Sequence, residues 1–335
     1  MGVSIVVGGQ FGSEGKGKVA RWFAKDNQVS TVVRVGGTNS GHTVINTDGQ
    51  PMIFRILPTA AIDQEVNCVL PAGSYIDIDI LFHEIQMAGI SPEKIKIHPN
   101  AAVITEEQKQ MERDSGLVDD IGSTGSGTGA AVSMRAMRDN RFVRAKDIGE
   151  LCRFVFDTGE FLRQEISDGR EVLIEGTQGF GLSNLHSQYY PKATSRDTSA
   201  AGFLSEAGLS PFDVAHIIMV IRAYPIRVAG KKSGPLPNEL TWDDVTKLAQ
   251  KEAPIREYTS VTNRLRRVGK FDPDVVLRAI RANRPDQIIL NHLDYIPGAD
   301  GVITPERAAF IESVQRQINA KVNYVGMDRK TLYAT

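Results

Sequence analysis

The chain has 335 residues, with 39 Lys plus Arg against 40 Asp plus Glu and a net charge of −1, which excludes a nucleic-acid binder driven by bulk charge. Its 41% hydrophobic content excludes a disordered chain. Cys68 and Cys152, without CxxC spacing, exclude a disulfide framework and a cysteine zinc site, and no apolar run approaches the length of a membrane span. With no basic leader before the first strand-like segment, the expected location is the cytoplasm. In chain order, short β-branched runs at 3–7, 32–35, 172–174, 217–221, 288–290 and 322–325 read as strands. Most lack polar alternation, so both faces are expected to be buried. Helices are expected at 18–25, 80–88, 106–113, 148–166, 242–250, 274–284 and 306–318. Strands alternating with helices predict an α/β fold, a large mainly parallel sheet flanked by helices. Without repeat or linker, 1–335 reads as one elaborated domain.

Glycine concentrates in four stretches, 8–17, 36–41, 122–129 and 176–181, each expected just after a strand. Ligands of open α/β sheets sit beyond the carboxyl ends of strands, so four such loops predict an extended ligand with much backbone contact. In the first, Gly12-Ser13-Glu14-Gly15-Lys16-Gly17-Lys18 fits the GxxxxGK phosphate loop. Backbone N–H groups, a helix N-terminus and lysines there suit an anion. Val19 stands where that motif has the Mg²⁺-holding hydroxyl. A turn with incidental glycines leaves the two lysines unexplained.

In the second loop, Asn39-Ser40-Gly41-His42-Thr43 places a histidine able to donate to an oxygen whose charge is rising, or simply a structural histidine. Ser123-Thr124-Gly125-Ser126-Gly127 alternates hydroxyls with glycines and leads into a helical stretch bearing Arg135, Arg138, Arg141 and Arg144. That stretch reads equally as an anion site or a solvated basic face. Thr262-Asn263-Arg264-Leu265-Arg266-Arg267 is either a carboxylate or phosphate clamp or a surface charge run.

Taken together, these segments resemble the adenylosuccinate synthetase family in order and spacing over essentially the whole chain, joined by 175–181, 190–195 and Arg227-Val228. The length resembles the short form that archaea carry. The resemblance implies a P-loop NTPase-like fold, a homodimer and a C–N-forming ligase. Its chemistry removes the purine N1 proton, transfers a γ-phosphoryl group to O6 and lets the amino group of aspartate displace it. The resemblance assigns Gly12, Ser13, Glu14, Gly15, Lys16, Gly17 and Lys18, with Thr43, to the donor phosphates. His42 is its acid, with Lys18 and Ser13 the other catalytic positions, and Gly41 and Ser13 are its Mg²⁺ ligands. Ser13, Asn39, Ser123, Thr124, Gln178, Thr194, Val228 and Arg264 line the purine nucleotide, and Arg138 reaches the nucleotide phosphate of the other subunit. Thr262, Arg264 and Arg266 clamp L-aspartate and the nucleotides. Asn291, Asp294 and Gly326 border the donor base.

Departures accompany the matches. The family has Asp at Ser13, both N1 base and Mg²⁺ ligand. A smaller hydroxyl there makes room for a 2-amino group, a change resembling the phage-borne 2-aminoadenylosuccinate synthetase branch, which joins aspartate to dGMP. The family also has Lys at His292 and a small hydroxyl at Tyr324, so the donor is expected to be ATP, with GTP open through Asp294. Extra residues at 229–237 lie beside the ribose site. Three readings follow: a dGMP–aspartate ligase using ATP, an ordinary adenylosuccinate synthetase using IMP and GTP, and a nucleotide-binding paralogue without turnover. In each the ligands are small molecules, with neither nucleic acid nor membrane as partner.

Overall fold

The structure, a computed structural model, describes residues 2–259, 263–299 and 301–335. Its centre is a nine-stranded sheet, in the order Tyr333–Ala334, Tyr324–Val325, Gln287–Asn291, Val214–Arg222, Val3–Gly8, Val172–Glu175, Thr31–Arg34, Asn67–Leu70 and Ile95–Ile97. Neighbours run parallel except the Tyr333–Ala334 edge strand, which is antiparallel to Tyr324–Val325. Every residue of Val3–Gly8 and of Val172–Glu175 is buried, as expected for strands covered on both faces. Alternate residues feed different cores. Val3, Ile5, Val7, Ile174, Met219 and Ile221 enter one; Val6, Leu173, Ile218 and Val220 enter the other.

All six expected strands are present. Asn67–Leu70 and Ile95–Ile97 extend the sheet beyond them. The expected 148–166 helix is two pieces, a 3-10 turn at Gly149–Phe154 and a helix at Thr158–Ser167 capped by Asp157. Among the described residues no helix is long and apolar enough to cross a membrane.

Three of the four glycine loops leave the carboxyl ends of three adjacent strands, Val3–Gly8, Val172–Glu175 and Thr31–Arg34. The fourth does not follow a strand, contrary to expectation. It joins the helices Leu117–Ile121 and Thr128–Met137. The basic stretch is also shorter than read: that helix ends at Met137, and Arg141 and Arg144 pair with surface carboxylates.

Helix ends mark the functional edge. Several other helices open on capping side chains: Asp77, Ser199, Asp272 and Thr304. Lys16–Asp26 and Thr128–Met137 open on Gly15 and Gly127 with no side-chain cap. The first N–H groups of a helix need partners, and here a ligand anion can supply them.

Candidate active site

The loops enclose a cavity of about 1770 Å³, beyond the roughly 300–1,000 Å³ of a site for one small ligand. Gly12, Ser13, Gly15, Lys16, Gly17, Lys18, Asn39, Gly41, His42, Thr43, Ser123, Thr124, Gln178, Thr194, Val228, Arg264, Arg266, Asn291 and Asp294 all line it. Three expected site residues do not: Glu14, Arg138 and Gly326. Thr262 lies outside the described residues.

Glu14 is fully buried. Its carboxylate accepts from the backbone N–H of Gln10 at 3.1 Å and of Gly12 at 2.8 Å, and pairs with Lys16 Nζ at 2.7 Å. The side chain therefore braces the phosphate loop from within, and only its backbone is available to a phosphate. Asn291 Nδ2 donates to the Glu14 carbonyl at 2.8 Å, and Asn291 Oδ1 is buried without a partner among the described residues. Lys18 Nζ donates to the Asp328 carbonyl at 3.0 Å. Burial pulls its pKa down to about 8 against the opposing pull of Asp328 and Asp294. Gly326 sits behind these groups, where a Cβ would overlap both Asn291 Oδ1 and Lys18 Nζ.

His42 is held from its inner side. Nδ1 lies 2.5 Å from Glu175 Oε1. Glu175 Oε2 accepts from Thr59 N at 2.8 Å and Thr59 Oγ1 at 2.7 Å. Burial first, then the Arg34 charge, push His42 down to about 4, against its hydrogen bond to the Glu175 carboxylate. For Glu175, burial is outweighed by His42 and Arg34, and its pKa falls below the usual carboxylate value. The pair near neutral pH is thus imidazole beside carboxylate. Glu175, absent from the expected site residues, was visible in sequence only as an acid ending a buried strand before a glycine loop.

Ser13 is one of the few non-glycine residues with a left-handed backbone, φ +57°. Its carbonyl accepts from Arg222 Nη1 at 2.9 Å. Fully buried Arg222 also pairs with Glu257, and Tyr295 Oη donates to Glu257 at 2.9 Å. Burial alone would raise Glu257, but Arg222 holds it at about 2. His292 packs against Tyr295, ring centres 5.5 Å apart. Burial, then the charge of Arg222, push His292 down to about 3, so it brings no positive charge to the cavity wall at neutral pH. Arg222, Glu257 and Tyr295 come from distant segments that no local motif joins.

Across the cavity, Asn39 Nδ2 donates to Thr194 Oγ1 at 3.5 Å, and Thr124 Oγ1 donates to Ser126 Oγ at 3.0 Å. Arg266 Nε donates to the Tyr258 carbonyl at 3.1 Å. Arg264 is anchored through its backbone N–H to Thr259 Oγ1 at 2.9 Å, and its exposed guanidinium borders the cavity. Arg138 is exposed at the end of the helix opened by Gly127.

Glycine loops on adjacent parallel strands, an uncapped helix N-terminus, one buried and one half-buried lysine and converging arginines define a phosphate-handling α/β enzyme. The comparisons place it within that class. The model of the adenylosuccinate synthetase family matches residues 5–150 and 142–306. The adenylosuccinate synthetase of Methanococcus aeolicus is 37% identical over 335 residues, covering 97% of this chain and 96% of its own. That of Thermococcus onnurineus is 36% identical over 331 residues, covering 96% and 94%. Among solved structures, succinoaminodeoxyadenylate synthetase of cyanophage S-2L, bound to dGMP and to dATP as an energy donor, superposes with a TM-score of 0.84 at 29% identity. It covers 100% of this chain and 95% of its own. Fully ligated adenylosuccinate synthetase from Plasmodium falciparum has a TM-score of 0.86 at 19% identity, covering all of both chains, and shares the fold. The chain belongs to the adenylosuccinate synthetase family. It is a C–N-forming ligase that uses aspartate, and its resemblance extends to the phage branch.

Proposed function

We propose that the chain condenses L-aspartate with dGMP, using ATP, to give 2-amino-2′-deoxyadenylosuccinate, ADP and phosphate. The observation that carries the reading is Ser13, a short neutral side chain on the cavity wall where the family has an aspartate. The likeness to a phage enzyme solved with dGMP and dATP supports it. The uncharged His292 supports ATP, and Asp294 leaves GTP open. The names of the archaeal relatives favour the second reading, IMP with GTP. The intact cradle and the Glu175–His42 pair speak against a paralogue without turnover.

The roles follow from position. The uncapped N-terminus of Lys16–Asp26, with Lys16 and Lys18, holds the triphosphate. His42 stabilises charge between purine O6 and the γ-phosphoryl group. Asn39, Ser123, Thr124, Gln178, Thr194 and Val228 surround the purine nucleotide. Arg264 and Arg266, with Thr262, hold aspartate while its amino nitrogen displaces phosphate from C6. The Gly41 carbonyl and Ser13 hydroxyl are neutral hard oxygens, a donor set fitting a Mg²⁺ that takes its other ligands from phosphate and water. When bound, the ion neutralises phosphate charge. Arg138, exposed and outside its own cavity, completes the site of a second copy, which makes the active unit a homodimer.

Ser13→Asp tests the substrate assignment. Aspartate tolerates a left-handed backbone comparatively well, so the exchange leaves the loop intact. The added carboxylate crowds the purine 2-amino group, and overpacking costs about 1–3 kcal/mol, roughly a 5- to 150-fold loss with dGMP. IMP lacks the amino group and gains a base. Preference in kcat/KM is expected to move toward IMP by at least about tenfold. Retained dGMP activity with no gain on IMP removes Ser13 as the selector.

A further inference from the structure

We propose that Glu257 is a positioning residue: through the buried guanidinium of Arg222 it ties the loop that carries Arg266 to the phosphate loop that carries Ser13. The proposal rests on the reading above that Arg266 holds aspartate. Its basis is geometric. Arg222 ends the strand Val214–Arg222. That strand lies between Val3–Gly8, which leads into the phosphate loop, and Gln287–Asn291, which leads to Asp294 and Tyr295. Arg222 is fully buried, and its guanidinium keeps its charge, with five N–H donors and no acceptor. Such a group is stable in the interior only where acceptors meet it.

Those acceptors come from two different loops. Nη1 donates to the Ser13 carbonyl at 2.9 Å and to Glu257 Oε2 at 3.2 Å, and Nη2 donates to Glu257 Oε1. Tyr295 Oη donates to the same Oε1 at 2.9 Å, and His292 also faces the Ser13 carbonyl. On the phosphate-loop side, Gln10 fixes the backbone of Arg222. The Arg222 N–H donates to Gln10 Oε1 at 2.9 Å, and Gln10 Nε2 donates to the Arg222 carbonyl at 3.2 Å. On the aspartate side, the Glu257 carbonyl accepts from the Arg266 N–H at 2.9 Å, and Arg266 Nε donates to the Tyr258 carbonyl at 3.1 Å. An antiparallel bridge between Tyr258 and Leu265 pairs the two arms of that loop. One ion pair therefore spans residues 8–17 and 257–266, and the left-handed backbone of Ser13, φ +57°, is held by the same fork that holds the clamp loop.

Two variants separate positioning from bulk stability. Glu257→Gln keeps the shape of the side chain and one carbonyl oxygen. Arg222 stays on its strand and on the Ser13 carbonyl, but its charged link to 257–266 is gone, so the aspartate loop is released while the phosphate loop is kept. Removing one partner of a buried pair also costs stability, because the remaining charge is uncompensated. Arg222→Met combined with Glu257→Met avoids that cost, since exchanging both partners for apolar groups of similar volume is often neutral or stabilising. The double variant gives up both links, to Glu257 and to Ser13. An ion pair that served stability alone would leave it as active as wild type.

Steady-state kinetics are read beside melting temperature with whichever nucleotide pair turns over, so a wrong substrate assignment leaves the result standing. In Glu257→Gln, KM for aspartate is expected to rise about tenfold, inside the range typical of coupling between sites, while KM for the triphosphate stays within about threefold. The double variant is expected to melt near wild type, to lose kcat by about tenfold or more, as for a misplaced reacting group, and to show a raised aspartate KM. A double variant with wild-type kcat and aspartate KM overturns the proposal. So does a Glu257→Gln enzyme whose aspartate KM is unchanged or rises no more than its triphosphate KM. Hydrogen exchange in the wild type needs no variant. ATP or GTP that protects residues 8–17 is expected to protect 257–266 as well, without aspartate; protection confined to 8–17 overturns the proposal. Arg266→Ala is the control for the clamp: an unchanged aspartate KM there refutes the reading of Arg266, and the proposal with it.

Discussion

Lys18 has about 8 as its pKa because burial disfavours its charge, and a bound triphosphate restores what burial removes. The charge is present below about pH 8 and is lost as the pH rises through that value. Triphosphate affinity, measured calorimetrically from pH 7 to pH 9, is therefore expected to weaken over that range. Lys18→Arg keeps its charge at both ends and should flatten the profile; a flat wild-type profile contradicts a Lys18–phosphate contact. His42→Ala should lower kcat by about 10²-fold or more, and an unchanged kcat in folded protein removes His42 from the chemistry. At this scale the sequence exposes residue types but not their facing. Ser13, Lys18 and His42 were legible because glycine loops announce ligand contact. The Glu14 carboxylate points inward, and nothing in GxxxxGK says which side chains brace the loop and which meet the ligand. Glu175, Arg222 and Glu257 escaped because their partners lie far away along the chain.

The helix Lys16–Asp26 shows how an element can serve its ligand before its own stability. It opens on glycine without a cap, and its second residue is Gly17. A Cβ on Gly17 would meet Thr59 Cγ2 at 2.8 Å and His42 Cβ at 2.9 Å. Alanine is the better helix former by up to about 1 kcal/mol, yet Gly17→Ala must push His42 or Thr59 away from the phosphate loop. Displacements near 1 Å cost turnover heavily, so kcat is expected to fall about tenfold or more, with little loss of melting temperature. Wild-type kcat in Gly17→Ala would show that this approach is not needed. The elements missed in sequence have physical reasons. Asn67–Leu70 holds a single β-branched residue and Ile95–Ile97 is interrupted by Lys96, so neither reads as an unbroken β-branched run. The helical stretch read after Gly127 is Thr128–Met137, which buries only Thr128, Ala131 and Met134 and stops before Arg138, Arg141 and Arg144. The 148–166 pattern continued across Val155 and Phe156 because a 3-10 turn and the next helix both bury one side.

The whole molecule assembles its site by sheet order. Segments from residues 8–17, 36–41 and 176–181 meet because their strands are neighbours, and the sequence could say that each loop follows a strand but not which strands are adjacent. The fourth loop arrives on helices, and with it comes Arg138, exposed and outside the cavity of its own chain. If that arginine serves a second copy, mixing inactive Arg138→Ala with inactive Lys18→Ala should restore activity in heterodimers that contain one intact site. No recovery after demonstrated subunit exchange contradicts a shared site. The central claim is the substrate pair. Phosphate release in the presence of aspartate, crossing dGMP, GMP and IMP against ATP and GTP, tests it most directly. The account predicts the fastest turnover with dGMP and ATP; turnover confined to IMP with GTP would contradict it.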